Sequence, residues 1–229
     1  MRMSEKIYPI GIQNFEKIRK EGYFYIDKTA LIYRLVKTGS YYFLSRPRRF
    51  GKSLLISTLD AYFRGEKELF KGLAIEKLEK DWVQRPVLHI DLNIGKYDAP
   101  DSLDKILNEA LVKWESVFGT GAGESTLALR FKGVVERAYK QSGQRVAILI
   151  DEYDKPLLQA IGNEELQREY RNTLKPFYGV LKTMDGCIQF AMLTGVTKFG
   201  KVSVFSDLNN LEDLSMWNEY VTLCGVSNQ

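Results

Sequence analysis

The sequence predicts an α/β fold in three layers, with helices on both faces of a central, mainly parallel sheet. Three observations predict it. Short strand-like runs alternate with helical patterns along the chain, the order that builds a parallel sheet. Val146 to Ile150 (VAILI) is apolar at every position, as a strand covered on both faces must be. The aromatic-rich run Tyr41 to Leu44 leads to Gly51-Lys52-Ser53 and then directly into a helical pattern.

The elements follow in order. Asn14 to Glu21 reads as a short helix stopped by Gly22, and Tyr23 to Ile26 as a short strand. Asp27 is placed to cap a helix over Lys28 to Lys37, with Gly39 just past its end. Tyr41 to Leu44 is a strand of β-forming aromatics. Gly51 to Phe63 is helical, with Leu54, Leu55, Leu59 and Phe63 at helical spacing. Val87 to Leu92 is a strand. Ser102 to Phe118 is the clearest amphipathic helix, with Leu103, Ile106, Leu107, Ala110, Leu111, Trp114 and Val117 expected on one face. Gly119 to Ser125 (GTGAGES) reads as a mobile connector. Thr126 to Lys140 is helical, Val146 to Ile150 is a strand, and Lys155 to Ala160 is a short helix that Asp154 is placed to cap. Glu164 to Lys182 is a long helix and Ile188 to Leu193 a buried strand. The expected sheet holds the last strand between Tyr41 to Leu44 and Val146 to Ile150.

Composition excludes several classes. The chain has 229 residues, 45% hydrophobic and 27% charged, ordinary globular values that rule out disorder as a class. A chain of this size buries roughly 70% of its unfolded surface and needs no disulfides. Two cysteines, Cys187 and Cys224, and a single histidine, His89, leave no metal or redox motif of the Cys-x-x-Cys type. No apolar run reaches the ~18 residues of a membrane span. Met1 to Lys6 is polar and leads into an apolar stretch too short for a secretory signal. The expectation is a cytoplasmic protein without a membrane partner. A net charge of +4 permits an anionic ligand without demanding nucleic acid.

Ligands of parallel sheets sit at the carboxyl ends of strands, so those ends carry the functional argument. After Tyr41 to Leu44 come Arg46-Pro47-Arg48-Arg49-Phe50-Gly51-Lys52-Ser53. The phosphate-loop (Walker A) pattern is G-x-x-x-x-G-K-[ST] between a strand and a helix. Gly51, Lys52 and Ser53 fit its second half, while Arg46 stands where its first glycine belongs. The amides of Gly51 to Leu54 form the positive end of a helix. Lys52 is expected to reach the β- and γ-phosphates, and Ser53 to ligate Mg²⁺. The competing reading is that Gly-Lys-Ser opens an ordinary helix.

The strand Val146 to Ile150 ends in Asp151-Glu152-Tyr153-Asp154, a Walker B arrangement. Asp151 is expected to hold Mg²⁺ opposite Ser53, and Glu152 to polarise the attacking water. In P-loop ATPases with such a glutamate, a further strand lies between the two Walker strands and its polar tip faces the γ-phosphate. Thr194, after Phe190 to Leu193, fits that sensor position.

Together, the segment YFLSRPRRFGKSLL (Tyr42 to Leu55), Tyr25-Ile26-Asp27-Lys28-Thr29, LIDEYD, Leu193-Thr194-Gly195-Val196-Thr197, Lys201-Val202-Ser203 and Leu208-Asn209-Asn210-Leu211 resemble the AAA-ATPase-like family of uncharacterised bacterial proteins. The resemblance covers nearly the whole chain. It implies a three-layer P-loop NTPase core over 39–229 with an N-terminal extension over 1–38. It also implies a loop in which Arg46 is a family trait, with Arg48, Arg49, Phe50, Gly51, Lys52, Ser53 and Leu54 around ATP. Catalytic roles fall to Lys52, Glu152 and Thr194, and Mg²⁺ to Ser53 and Asp151. More distantly, the chain is similar to STAND-like and archaeal ATPases with G-P-R-R-x-G-K-T loops. Family members often carry a PD-(D/E)XK nuclease-like domain after the ATPase. No Lys here has an acidic residue two positions before it, so this segment is expected to lack that nuclease.

The functional expectation is an ATP-binding, slowly hydrolysing domain that acts as a switch or motor for an attached module. Two alternatives stay open: a nucleotide-binding scaffold without turnover, and the control domain of a nucleic-acid-processing protein. His89 with Asp91, and the basic face of Arg168, Arg171 and Lys175, read as structural and solvated features.

Overall fold

The computed structural model describes residues 7–197 and 210–225. Its elements follow the expected alternation. Helices α1 (Phe15–Lys20) and α2 (Thr29–Thr38) precede strand β1 (Tyr41–Ser45), and helices α3 (Lys52–Phe63) and α4 (Ala74–Leu78) follow it. Strand β2 (Val87–Asp91), helices α5 (Ser102–Phe118) and α6 (Leu127–Ser142) and strand β3 (Val146–Asp151) come next. Then come α7 (Lys155–Gln159), α8 (Glu164–Thr183), β4 (Ile188–Gly195) and the short edge strand β5 (Glu212–Asp213).

The sheet order is β2-β3-β4-β1-β5, and every pairing is parallel. As expected, β4 lies between β1 and β3. Side-chain alternation along the strands splits the core into two layers. Phe43, Ile90, Ile148, Ile150 and Leu193 face α5, α6 and α8, against Leu107, Phe131 and Phe177. Tyr42, Leu44, Leu149, Phe190 and Met192 face the other way, against Leu35 of α2 and Leu55, Leu59 and Phe63 of α3. This double covering explains why β3 is apolar from Val146 to Ile150 and buried at every residue. No helix among the described residues is long and apolar enough to cross a membrane.

Five local expectations are corrected. Tyr23 to Ile26 joins no ladder among the described residues, although the Phe24 amide donates to Ile7 O; Tyr25 instead packs edge-on to Phe15. Asp154 makes no side-chain cap on α7; its carboxylate is spent on another loop, described below. The connector 119–125 is fastened rather than free, because Glu124 pairs with Arg137 of α6 and its Oε2 accepts from the Gly121 amide. Gly133 leaves room for that carboxylate: a Cβ there would fall 1.7 Å from Glu124 Oε1. Strands β1, β3 and β4 run one or two residues further than their apolar stretches. Ser45, Asp151, Thr194 and Gly195 are polar or small yet remain in the ladder, and those extra residues form the site. Lys28, not Asp27, is the N-cap of α2; Asp27, one residue earlier, accepts from the Thr29 amide at 2.9 Å and from the Ala74 amide at 2.7 Å.

Candidate functional site

Strand register sets the frame. Leu44 and Ser45 of β1 lie beside Thr194 and Gly195 of β4. On the far side of β3, Asp151 lies beside Asp91 of β2. The polar tips of four adjacent strands therefore share one sheet edge, and α3 starts there.

The loop leaving β1 begins as an extension of the strand. The Arg46 amide donates to Gly195 O at 3.1 Å, continuing the ladder. Pro47 biases the residue before it toward this extended geometry. The Arg46 guanidinium turns back to Ser45 O and the Ser215 carbonyl, at 3.0 and 3.5 Å, rather than into the loop. The left-handed turns fall later, at Arg49 (φ 66°) and Gly51 (φ 83°). Gly51 carries that conformation without strain and leads straight into α3. The first-turn amides of α3 have no side-chain cap, which leaves an open anion-binding end.

Lys52 is buried, and its ammonium points back under the loop. It donates to the carbonyls of Arg46 (3.1 Å) and Pro47 (3.3 Å) and pairs with Glu152 Oε1 at 3.2 Å. Asp151 is also buried; its Oδ1 accepts from Thr194 Oγ1 and from the Glu152 amide. Burial pushes the Glu152 carboxyl above its ordinary range, with the Lys52 charge opposing that rise. Glu152 holds a positive φ of 54°, unusual for a residue with a Cβ.

Four of the expected site residues, Lys52, Glu152, Asp151 and Thr194, thus form one bonded chain. Ser53 and Asp151 line a common cleft of about 480 Å³ with Asp60, His89 and Asp91. Arg48, Arg49, Gly51, Lys52, Ser53 and Leu54 line a neighbouring cleft of about 760 Å³ with Glu152. Phe50 faces a third cavity, about 350 Å³, walled by Tyr8, Phe24, Leu54 and Leu223. Arg168, Arg171 and Lys175 line none of these spaces. Lys201, Val202, Ser203, Leu208 and Asn209 lie outside the described residues.

Sequence reading missed two contributors and the role of a third. Asp154 is fully buried and accepts from the amides of Val196 (3.1 Å) and Thr197 (2.7 Å) and from Thr197 Oγ1 (2.9 Å). It thereby ties the β3 tip to the β4 tip. Lys155 and Asn93 meet at 2.7 Å on the rim of the larger cleft. Residues Pro9 to Gln13 wall that cleft from the N-terminal side. The acidic run Asp151-Glu152-Tyr153-Asp154 did flag Asp154, but nothing local points to a partner more than 40 positions away.

Oxygen donors are the right chemistry for a hard cation such as Mg²⁺, which takes one or two protein ligands and keeps several waters. Ser53 and Asp151 fit that demand. Among the described residues no cluster of three or more His, Cys, Asp or Glu forms a dedicated metal cage.

A parallel sheet with a glycine-lysine-serine helix start at one strand tip, and a buried carboxylate bonded to a threonine at the next two, defines a P-loop-like α/β protein. The chain belongs to the predicted AAA-ATPase family, whose model matches residues 9–205. It is also 44% identical over 227 residues to a protein of Azotobacter chroococcum mcd 1 described as an uncharacterized protein in the vnfD 5′ region. That match takes in 98% of this chain and 44% of the relative, so the chain spans less than half of the relative's length. No solved structure matches the chain.

Proposed function

We propose that this chain binds ATP with Mg²⁺ and hydrolyses it slowly, as a switch for an attached module. The observation that carries this reading is the placement of Lys52. Its ammonium sits at the open N-terminus of α3, within 3.2 Å of a glutamate that directly follows a buried aspartate.

In this reading the triphosphate lies along the cleft lined by Arg48, Arg49 and Lys52, with the α3 amides on its oxygens. The base enters the apolar cavity walled by Tyr8, Phe24 and Leu54, which adjoins Gly51. Ser53 and Asp151 hold the metal, which supplies charge neutralisation across the phosphates. Lys52 offsets the charge that develops on the transferred group. Glu152 orients a water and takes its proton, and its raised proton affinity suits a general base. Thr194 fixes the Asp151 carboxylate through its hydroxyl. The Azotobacter relative, more than twice as long, is consistent with a module beyond this segment.

The test is calorimetry with ATP and Mg²⁺, followed by phosphate release. The reading expects Mg²⁺-dependent binding, loss of at least ~100-fold in affinity in Lys52→Ala, and loss of turnover in Glu152→Gln with binding retained. A folded wild-type chain that shows no binding at millimolar ATP overturns it.

A further inference from the structure

The Lys52 ammonium has three N–H donors, and each has an acceptor within the protein. Arg46 O and Pro47 O take two, and Glu152 Oε1 takes the third. The two carbonyls belong to the loop and hold its shape. The carboxylate follows a different strand, β3, and both residues line the same cleft. The pair is well shielded, with side-chain exposures of 3% for Lys52 and 16% for Glu152. Shielding strengthens the attraction and makes a solvent-separated alternative costly. Glu152 reaches this position with a left-handed backbone, φ 54°, a conformation that persists only where surrounding contacts hold it. Those contacts are its amide bond to Asp151 Oδ1, the bond its carbonyl accepts from the Lys155 amide at 3.0 Å, and the ion pair itself.

We propose that Glu152 is an intramolecular latch on the phosphate site: in the resting chain its carboxylate occupies the place on Lys52 that a nucleotide phosphate takes. This rests on the nucleotide reading above and deepens it to regulation of the same site. The latch orders events. A phosphate must displace the carboxylate to reach the lysine, and only then is Glu152 free to act on water. The glutamate is therefore held away from water until a phosphate arrives. A ligand without a phosphate group that reaches Lys52, such as adenosine, does not open the latch and meets no competition from it.

The experiment is ADP and adenosine binding by calorimetry to the wild type, Glu152→Gln and Glu152→Asp, since ADP needs no hydrolysis to be read. Gln weakens the contact at constant shape. Asp keeps the charge but is one methylene too short to span the present 3.2 Å contact. The latch predicts about tenfold tighter ADP binding in both variants and unchanged adenosine binding. Two outcomes overturn it while leaving the nucleotide reading intact: equal ADP affinity in all three chains, or tightening in Gln but not in Asp, which reports bulk charge instead of the contact. Absence of ADP binding in every chain overturns the nucleotide reading and the latch with it.

Discussion

A methyl group on Gly195 would meet the Tyr153 ring at 2.4 Å and Asp154 Oδ1 at 2.7 Å. Tyr153 is fully buried and cannot swing clear. Gly195 is thus small because the β3 tip folds across it, with the Tyr153 amide donating to Thr194 O at 2.9 Å. Gly195→Ala is expected to cost about 2–3 kcal/mol by overpacking, measurable as a lower urea midpoint. The neighbouring Asp154 is more exacting. Its removal orphans the Val196 and Thr197 amides and the Thr197 hydroxyl. Asp154→Ala is expected to cost about 3 kcal/mol and to lower any nucleotide turnover by displacing Thr194. A variant as stable as the wild type in urea would show that water replaces those bonds. Sequence reading identified Asp151, Glu152 and Thr194 here because strand-end polar residues are visible locally. The role of Asp154 was invisible, because its acceptors are engaged only once β4 lies beside β3.

At the scale of elements, Glu79 joins three helices. Just past α4, its carboxylate is buried and accepts from the Tyr62 hydroxyl of α3 (2.5 Å) and from Lys37 of α2 (2.9 Å). Burial alone would raise its pKa; the Tyr62 and Lys37 hydrogen bonds outweigh that and bring it down to about 2. The folded value lies below the ordinary 4.5. The stabilisation is therefore complete above about pH 4.5 and lost as pH falls toward 2. Glu79→Gln is expected to remove about 2 kcal/mol at neutral pH and to flatten the stability profile between about pH 4.5 and 2. Thermal unfolding across that range checks it, and parallel profiles for both chains would contradict it. The start of the β1 to α3 loop offers a contrasting case. Arg46 braces Ser45 and Ser215 carbonyls and leaves the helix-end amides to Gly51 and its successors. Arg46→Gly is expected to lower the melting temperature while changing ADP affinity by less than about threefold. A loss of binding would instead make Arg46 part of the phosphate cradle.

For the whole molecule, the net charge of +4 predicts only weak, non-specific association with DNA. Such binding is expected to disappear by ~200 mM salt, and a fluorescence titration at two salt concentrations measures it. A complex surviving that salt would favour a nucleic-acid role for the charge. The sheet order places β4 between the strands that carry Lys52's loop and Asp151, so the candidate site on one edge draws on residues from Arg46 to Thr197.

The sequence by itself determined the layer architecture, the strand tips and the residues Lys52, Ser53, Asp151, Glu152 and Thr194 as a candidate set. It could do so because apolar periodicity and the Gly-Lys-Ser helix start are local properties of the chain. Tertiary structure alone decided which of these touch. The Lys52 to Glu152 pair joins residues 100 positions apart, and the Thr194 to Asp151 bond spans 43. Tertiary structure also redirected Asp154 from a helix cap to the β4 tip, and Arg46 from the loop to Ser215. The physical reason is that a hydrogen-bonding side chain has several possible partners in sequence. Burial selects among them, since each buried polar group must be satisfied by whatever the packed neighbours supply.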